Sequence, residues 1–316
     1  MSPTAEQSTV RASAAPGSAE LHSLLVPIDL TPSSDRVLGR LSLLPLAEDA
    51  RVTLLHVVPG SLPRNEQRRA ERDANKALAS EVRHLRKHLP KKVRIDALVK
   101  VGAAAKVIAE SAAEVQAELI VMGRGGGRAL RDAFLGSTAE RVVRQARLPV
   151  LVVRLAPRAA YRSPALALDL DEAAHEVVRL MLRVLPPPRP RLEVIHAFDI
   201  PYRGLIYPSL SADDAEEWKA ELRAKATREL AKLLVAALAK ANVRPEDGPS
   251  WKTHVQYGSP RTVVEKAMKK AEPDLLVLGT HGYSGAGYVF LGTVAGDLLR
   301  AATCDVLVVP PAPPGD

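Results

Sequence analysis

Cysteine is almost absent. Cys304 stands alone, so no disulfide can close within the chain, and the expectation is a reducing compartment. In Thr303-Cys304-Asp305-Val306, just before an apolar run, it reads as a small buried residue rather than a redox sensor. Aromatic residues are scarce too, at 3% against a hydrophobic content of 47%. The core must therefore be built from Val, Leu, Ile and Ala, which suits parallel strands covered by helices. No apolar run approaches the ~20 residues of a membrane span. Met1 to Glu20 is rich in Ala, Ser, Thr and Pro and has neither the basic start nor the apolar centre of a secretory signal. We expect a cytoplasmic protein with a disordered tail over 1–20 and a short tail over 311–316.

Several chemistries are missing as well. There is no Gly-x4-Gly-Lys-Ser/Thr, no Ser–His–Asp elbow, no Cys/His metal spacing and no Gly-x-Gly-x-x-Gly after the first apolar run. These absences argue against a P-loop enzyme, a triad hydrolase, a zinc site and a dinucleotide dehydrogenase. The net charge of +8 allows anionic partners. No motif with interleaved aromatics marks a nucleic-acid module, so the charge reads mainly as solubility and nucleic acid is not expected as a partner.

What the chain does have is a pattern used twice. Gly123-x2-Gly126-x9-Gly136-Ser137-Thr138 returns as Gly279-x2-Gly282-x9-Gly292-Thr293. Each copy follows an aliphatic run, Leu119 to Met122 and Leu275 to Leu278, and each precedes a helical pattern. A strand that ends in a glycine loop and feeds a helix start is a phosphate cradle, because free backbone N–H groups and the positive dipole end converge there. Around the first loop lie Arg124, Arg128 and Arg131, whereas Tyr283 to Leu291 carry no charge. These arginines either pair with a polyphosphate or point to solvent.

The rest of the chain repeats in step. Asp29 and Asp169 are 140 residues apart, as are His56 and His196, while Gly102 and Gly258 are 156 apart, as are Gly123 and Gly279. The 16 extra residues fall in one crossover, Asp199 to Asp214 with a longer helix from Glu216 to Ala241. That insertion is expected as a surface flap. Strand patterns at Leu24–Asp29, Val52–Val58, Val93–Val99, Leu119–Met122 and Leu148–Val153 alternate with helical patterns. So do Leu166–Asp169, Leu192–Ala197 and their successors. Alternation means βαβ units and a parallel sheet. The predicted fold class is α/β: two tandem doubly wound domains, each a five-stranded parallel sheet with helices on both faces. The domains are set at 21–156 and 165–310, with a linker at 157–164. Asp29 and Asp169 sit at strand ends, where such sheets bind ligands. A carboxylate there serves a nucleoside or caps a helix, and the spacing leaves both open. His56 and His196 read as packing residues, and His281, inside the second loop, as a ligand contact.

Both copies of the glycine pattern resemble universal stress protein domains of the ATP-binding subgroup, over about Ser23 to Pro310. The resemblance implies binding of ATP or another adenine nucleotide, with Mg as an accompanying ion, a role in stress response, and no robust catalysis. It favours the nucleoside role for Asp29 and Asp169. It implies a first site of Pro27, Ile28, Asp29, Val57, Met122, Gly123, Arg124, Gly126, Gly136, Ser137 and Thr138. The second would be Leu168, Asp169, Ala197, Leu278, Gly279, His281, Gly282, Gly292, Thr293 and Val294. It also implies that Val150–Val153 pairs with Val306–Val309 inside one chain, with a homodimer as a further level and a signalling protein as partner. The alternatives are a scaffold of the same fold with one or both sites empty, and a slow ATPase, for which no water-positioning base is visible.

Overall fold

The computed structural model describes residues 20–125, 135–199, 211–280 and 291–311. The first half runs β1 (Leu21–Pro27), α1 (Ser34–Leu41), β2 (Leu46–Pro59), α2 (Arg64–Leu85), β3 (Arg94–Gly102), α3 (Ala104–Glu114), β4 (Leu119–Gly123), α4 (Ser137–Gln145) and β5 (Val150–Val153). The second runs β6 (Pro164–Ala167), α5 (Ala173–Val184), β7 (Leu192–Phe198), α6 (Ala212–Lys240), β8 (Trp251–Tyr257), α7 (Pro260–Ala271), β9 (Leu275–Gly279), α8 (Thr293–Ala301) and β10 (Asp305–Val309).

The strands form one ten-stranded sheet in the order β3-β2-β1-β4-β5-β10-β9-β6-β7-β8. Each half is parallel within itself, as the alternating pattern requires. The halves meet where β5 and β10 pair antiparallel, Val152 opposite Val306, Leu151 opposite Leu307 and Val150 opposite Val308. The pairing of the two last strands is thus a feature of this chain. Residues alternate between two cores along each strand. Leu24, Val26, Leu119, Val121 and Leu307 face the layer that holds Val37, Leu78, Val178 and Leu230. Leu25, Ile120, Val306 and Val308 face Ile108, Val142, Val264 and Leu298. Both layers run across the join, so burial and not a tether holds the halves.

The structure corrects several boundaries. β2 starts at Leu46, six residues before the apolar run, because Leu46 pairs with Leu21 and Arg51 with Ser23 across an irregular register. β5 starts at Val150 rather than Leu148, and β6 ends at Ala167, so Asp169 lies beyond its strand. α6 begins at Ala212, where Ser211 accepts from the Asp214 N–H at 3.1 Å. The connection between β5 and β6 is anchored, since Tyr161 is buried and its hydroxyl donates to Asp305 at 2.8 Å. The tails at 1–19 and 312–316 and most of the Asp199–Asp214 insertion fall outside the described residues.

Candidate functional site

In each half the strand order turns back between β1 and β4, or between β6 and β9, and the crevice beyond their carboxyl ends is where such sheets take ligands. A cleft lies at each of these places. In the first half it encloses about 240 Å³ and is walled by Pro27, Ile28, Asp29, Val57, Met122, Gly123, Arg124 and Thr138. In the second it encloses about 900 Å³ and is walled by Leu168, Asp169, Ala197, Leu278, Gly279, Gly292, Thr293 and Val294. Gly136 and Ser137 stand at the start of α4 beside the first cleft, off its wall. Gly126, His281 and Gly282, with Arg128 and Arg131, lie outside the described residues.

The two cradles are closed in the same way. The Gly136 N–H donates to the Arg124 carbonyl at 2.8 Å, and the Gly292 N–H donates to the Thr280 carbonyl at 2.8 Å. Each bond draws the helix start back onto the strand end, and the first-turn N–H groups of a helix have no partner within it. A Cβ on Gly292 would meet the Thr280 carbonyl oxygen at 3.0 Å. Gly125 has φ +67°, a conformation that glycine adopts without strain. Both positions therefore favour glycine.

The two aspartates differ. Asp29 Oδ1 accepts from the Thr31 N–H (3.1 Å), the Thr31 hydroxyl (2.7 Å) and the Ser34 hydroxyl (2.9 Å), which ties it into the turn that starts α1. Asp169 accepts only from the neighbouring Leu170 N–H at 2.9 Å among the described residues. In the second half the helix start is held instead by Asp171, which accepts from the Ala174 N–H at 3.1 Å. Burial raises the Asp171 carboxyl above the usual range, against the lowering effect of that bond. The two histidines have one shared job. His56 Nδ1 donates to the Ile28 carbonyl at 3.0 Å and His196 Nδ1 to the Leu168 carbonyl at 2.9 Å. Each pins the end of the first strand of its half and, beyond the packing role expected, also lines its cleft.

Several wall residues are not visible as site residues in the sequence. In the first cleft these are Arg36 and Arg154, which with Arg124 make three cations. The Arg36 guanidinium donates to the Arg154 carbonyl at 3.1 Å, and Arg154 Nη2 donates to the Leu299 carbonyl of α8 at 2.5 Å. Arg154 is 7% exposed and its Nε has no hydrogen-bond partner among the described residues. Burial, with Arg124 adding to it, holds its pKa below the usual guanidinium range. The second cleft gains Phe198 from β7 and Leu222, Lys225, Ala226 and Glu229 from α6, together with Asp171. The long crossover helix thus widens one cleft. Only the arginine-rich end of β5 and the 16-residue length difference hinted at these residues. Among the described residues no group of three or more His, Cys, Asp or Glu gathers to hold a metal. Among the same residues no helix is long and apolar enough to cross a membrane.

Comparison with known proteins gives the same picture of two copies. The model of the universal stress protein family matches residues 20–154 and again 161–310. Universal stress protein A homolog 1 of Coxiella burnetii is 28% identical over 152 residues, 47% of this chain and 96% of that protein. Universal stress protein Sll1388 of Synechocystis is 29% identical over 157 residues, 47% of this chain and 97% of that protein. Two solved structures share the whole fold. A universal stress protein from Archaeoglobus fulgidus has a TM-score of 0.61 at 16% identity and covers 91% of this chain and 98% of its own. Protein PA1789 of Pseudomonas aeruginosa has a TM-score of 0.61 at 18% identity, covering 93% and 94%. With two family matches that together take in nearly all of its residues, this chain belongs to the universal stress protein family, as a tandem member.

Proposed function

We propose that the protein binds an adenine nucleotide in each half, through the paired glycine cradles, and acts in stress response by binding rather than by turnover. The observation that carries this reading is the repeated closure of strand end onto helix start, Gly136 to Arg124 and Gly292 to Thr280, at the switch point of each half-sheet. Phosphates would rest on the N–H groups of Ser137 and Thr138, and of Thr293 and Val294. The ribose or base would reach Asp29 or Asp169. Magnesium would come with the phosphates, since no carboxylate cluster among the described residues supplies a site for it.

In this reading the two sites are unequal. Arg36, Arg124 and Arg154 wall the first cleft, while in the second Asp169, Asp171, Asp199 and Glu229 stand beside Lys225, the one Lys or Arg among its described lining residues. A charge-assisted Arg–phosphate contact contributes about 1.5–3 kcal/mol where water is largely excluded. The first site should therefore favour the triphosphate, and the roomier second should discriminate less between ATP and AMP. Calorimetric titration with ATP, AMP and GTP tests the whole reading. Gly136→Val should abolish the tighter ATP isotherm and Gly292→Val the weaker one. Folded protein that takes up no adenine nucleotide at millimolar ligand would refute nucleotide binding. Loss of the tighter site in Gly292→Val alone would reverse the ranking.

A further inference from the structure

The chain's positive charge is concentrated in one place. Between Arg64 and Arg94 there are eleven Lys or Arg against four Asp or Glu, a net of +7, where the entire chain carries +8. The segment is α2, the turn after it and the first residue of β3. All eleven cations are exposed. Arg69 pairs with Asp73 and Lys92 with Glu48; the other nine make no ion pair among the described residues. Arg64, Arg68, Arg72, Lys76 and Arg83 follow one another at four- or seven-residue spacing, which puts them on one helix face. The opposite face carries the buried Ala74, Leu78 and Leu85. Beyond the helix Arg86, Lys87 and Lys91 continue the run, and no acid occurs from Val82 to Ile95.

The second half serves as an internal control. α6 occupies the same crossover, between the second and third strands of its half, and is longer. It carries six Lys or Arg and six Asp or Glu, a net of zero. The fold does not require a basic helix at this place. Protection of a sheet edge does not account for it either. β3 is an edge strand, and charge there blocks unwanted pairing, but the stripe lies on the helix.

We propose that the exposed face of α2 and the turn after it form a docking surface for the phosphodiester backbone of a nucleic-acid duplex, bound without regard to sequence. The composition of the face selects this partner over other anions. A helix that lies in a membrane surface must expose apolar side chains to the lipid, and the apolar side of α2 is buried against the sheet. Protein interfaces are organised around desolvated aromatic or aliphatic anchors, and no large hydrophobic side chain is exposed between Arg64 and Arg94. Single strands are held by stacking on aromatic rings, and the segment contains no Phe, Tyr or Trp. What remains is a row of flexible cations about 29 Å long at 1.5 Å per residue, suited to a regular array of phosphates.

The test is fluorescence anisotropy on the full chain with two labelled 30-base-pair duplexes of unrelated sequence, across a range of salt. We expect equal affinity for the two, and a slope of log K against log salt of roughly −4 to −5, as for four to six phosphate contacts. Arg72→Glu with Lys76→Glu and Arg83→Glu should weaken binding at least tenfold and flatten the slope, with the melting temperature unchanged. Arg223→Glu with Arg228→Glu on α6 should change nothing. Three results would overturn the proposal: no duplex binding at 50 mM salt, an undiminished affinity in the triple variant, or anionic vesicles or polyglutamate bound as tightly as the duplex. None of these depends on whether the glycine cradles take a nucleotide.

Discussion

At the scale of single residues, the join is governed by Asp305. It is fully buried and accepts four hydrogen bonds, from the Arg154 N–H (2.7 Å), the Leu155 N–H (2.9 Å), Arg40 Nε (3.1 Å) and the Tyr161 hydroxyl (2.8 Å). The Arg40 guanidinium also lies 3.9 Å from the centre of the Tyr161 ring. Two neighbouring groups pay for this dry setting in their titration. Burial pushes the Cys304 thiol from 9.0 to about 12, and burial followed by the charge of Asp305 raises the Tyr161 phenol well above 10.0. Both values are raised in the folded state. The stability they contribute is therefore complete below their unfolded values and is lost as pH climbs toward the folded ones. Unfolding free energy should fall from about pH 9 upward, by at most about 1.4 kcal/mol per pH unit for each group. Urea midpoints at pH 8, 9.5 and 10.5 measure it, and Cys304→Ala should give a shallower decline. An alkaline slope identical in the two proteins would show that the thiol is not the cause. The small, buried character of Cys304 is readable in the sequence. Its neighbours' network is not, because the repeat offers no template: at the 156-residue offset Asp305 falls on Pro149 and Arg154 on Pro310.

At the scale of elements, the strands were the legible part. Runs such as Leu119–Met122 and Leu275–Leu278 are aliphatic because both faces of each strand are covered. Edges were less legible. The start of β2 depends on register with Leu21, and the N-terminus of α6 on one serine bond, neither of which periodicity records. The join between β5 and β10 is the element on which the molecule most depends. Leu307 and Leu151 are fully buried and face each other across it. Leu307→Ala should cost about 2–5 kcal/mol, the usual range for a core leucine that leaves a cavity. Val235→Ala, at a position 59% exposed, should stay within about 0.5 kcal/mol. Denaturant titration of the two variants compares them directly. Equal midpoints would mean that the join contributes no packing to the fold.

At the scale of the whole molecule, two halves share one sheet and two continuous cores. Residues 1–157 alone would leave β5 as a bare edge of Val150, Leu151, Val152 and Val153. They would also take Arg154 from its acceptor on α8 and from Asp305. An exposed aliphatic edge pairs with whatever strand it meets. This fragment should self-associate through β5, and light scattering should find a dimer or larger species. A soluble monomer would contradict the account of the join.

The linear chain by itself determined the repeat, the α/β class, the parallel halves and the strand ends and helix starts that flank both glycine loops. These follow from local rules: aliphatic runs, helical spacing, and glycine where backbone must come close. Only the tertiary structure decided the rest. It placed Arg36 and Arg154 at the first cleft and α6 at the second, and tied Asp29 into its turn while leaving Asp169 less engaged. Each of these depends on residues brought together from distant segments or turned to one side of an element. Sequence order carries no direct trace of such neighbours, because they are set by how the layers pack.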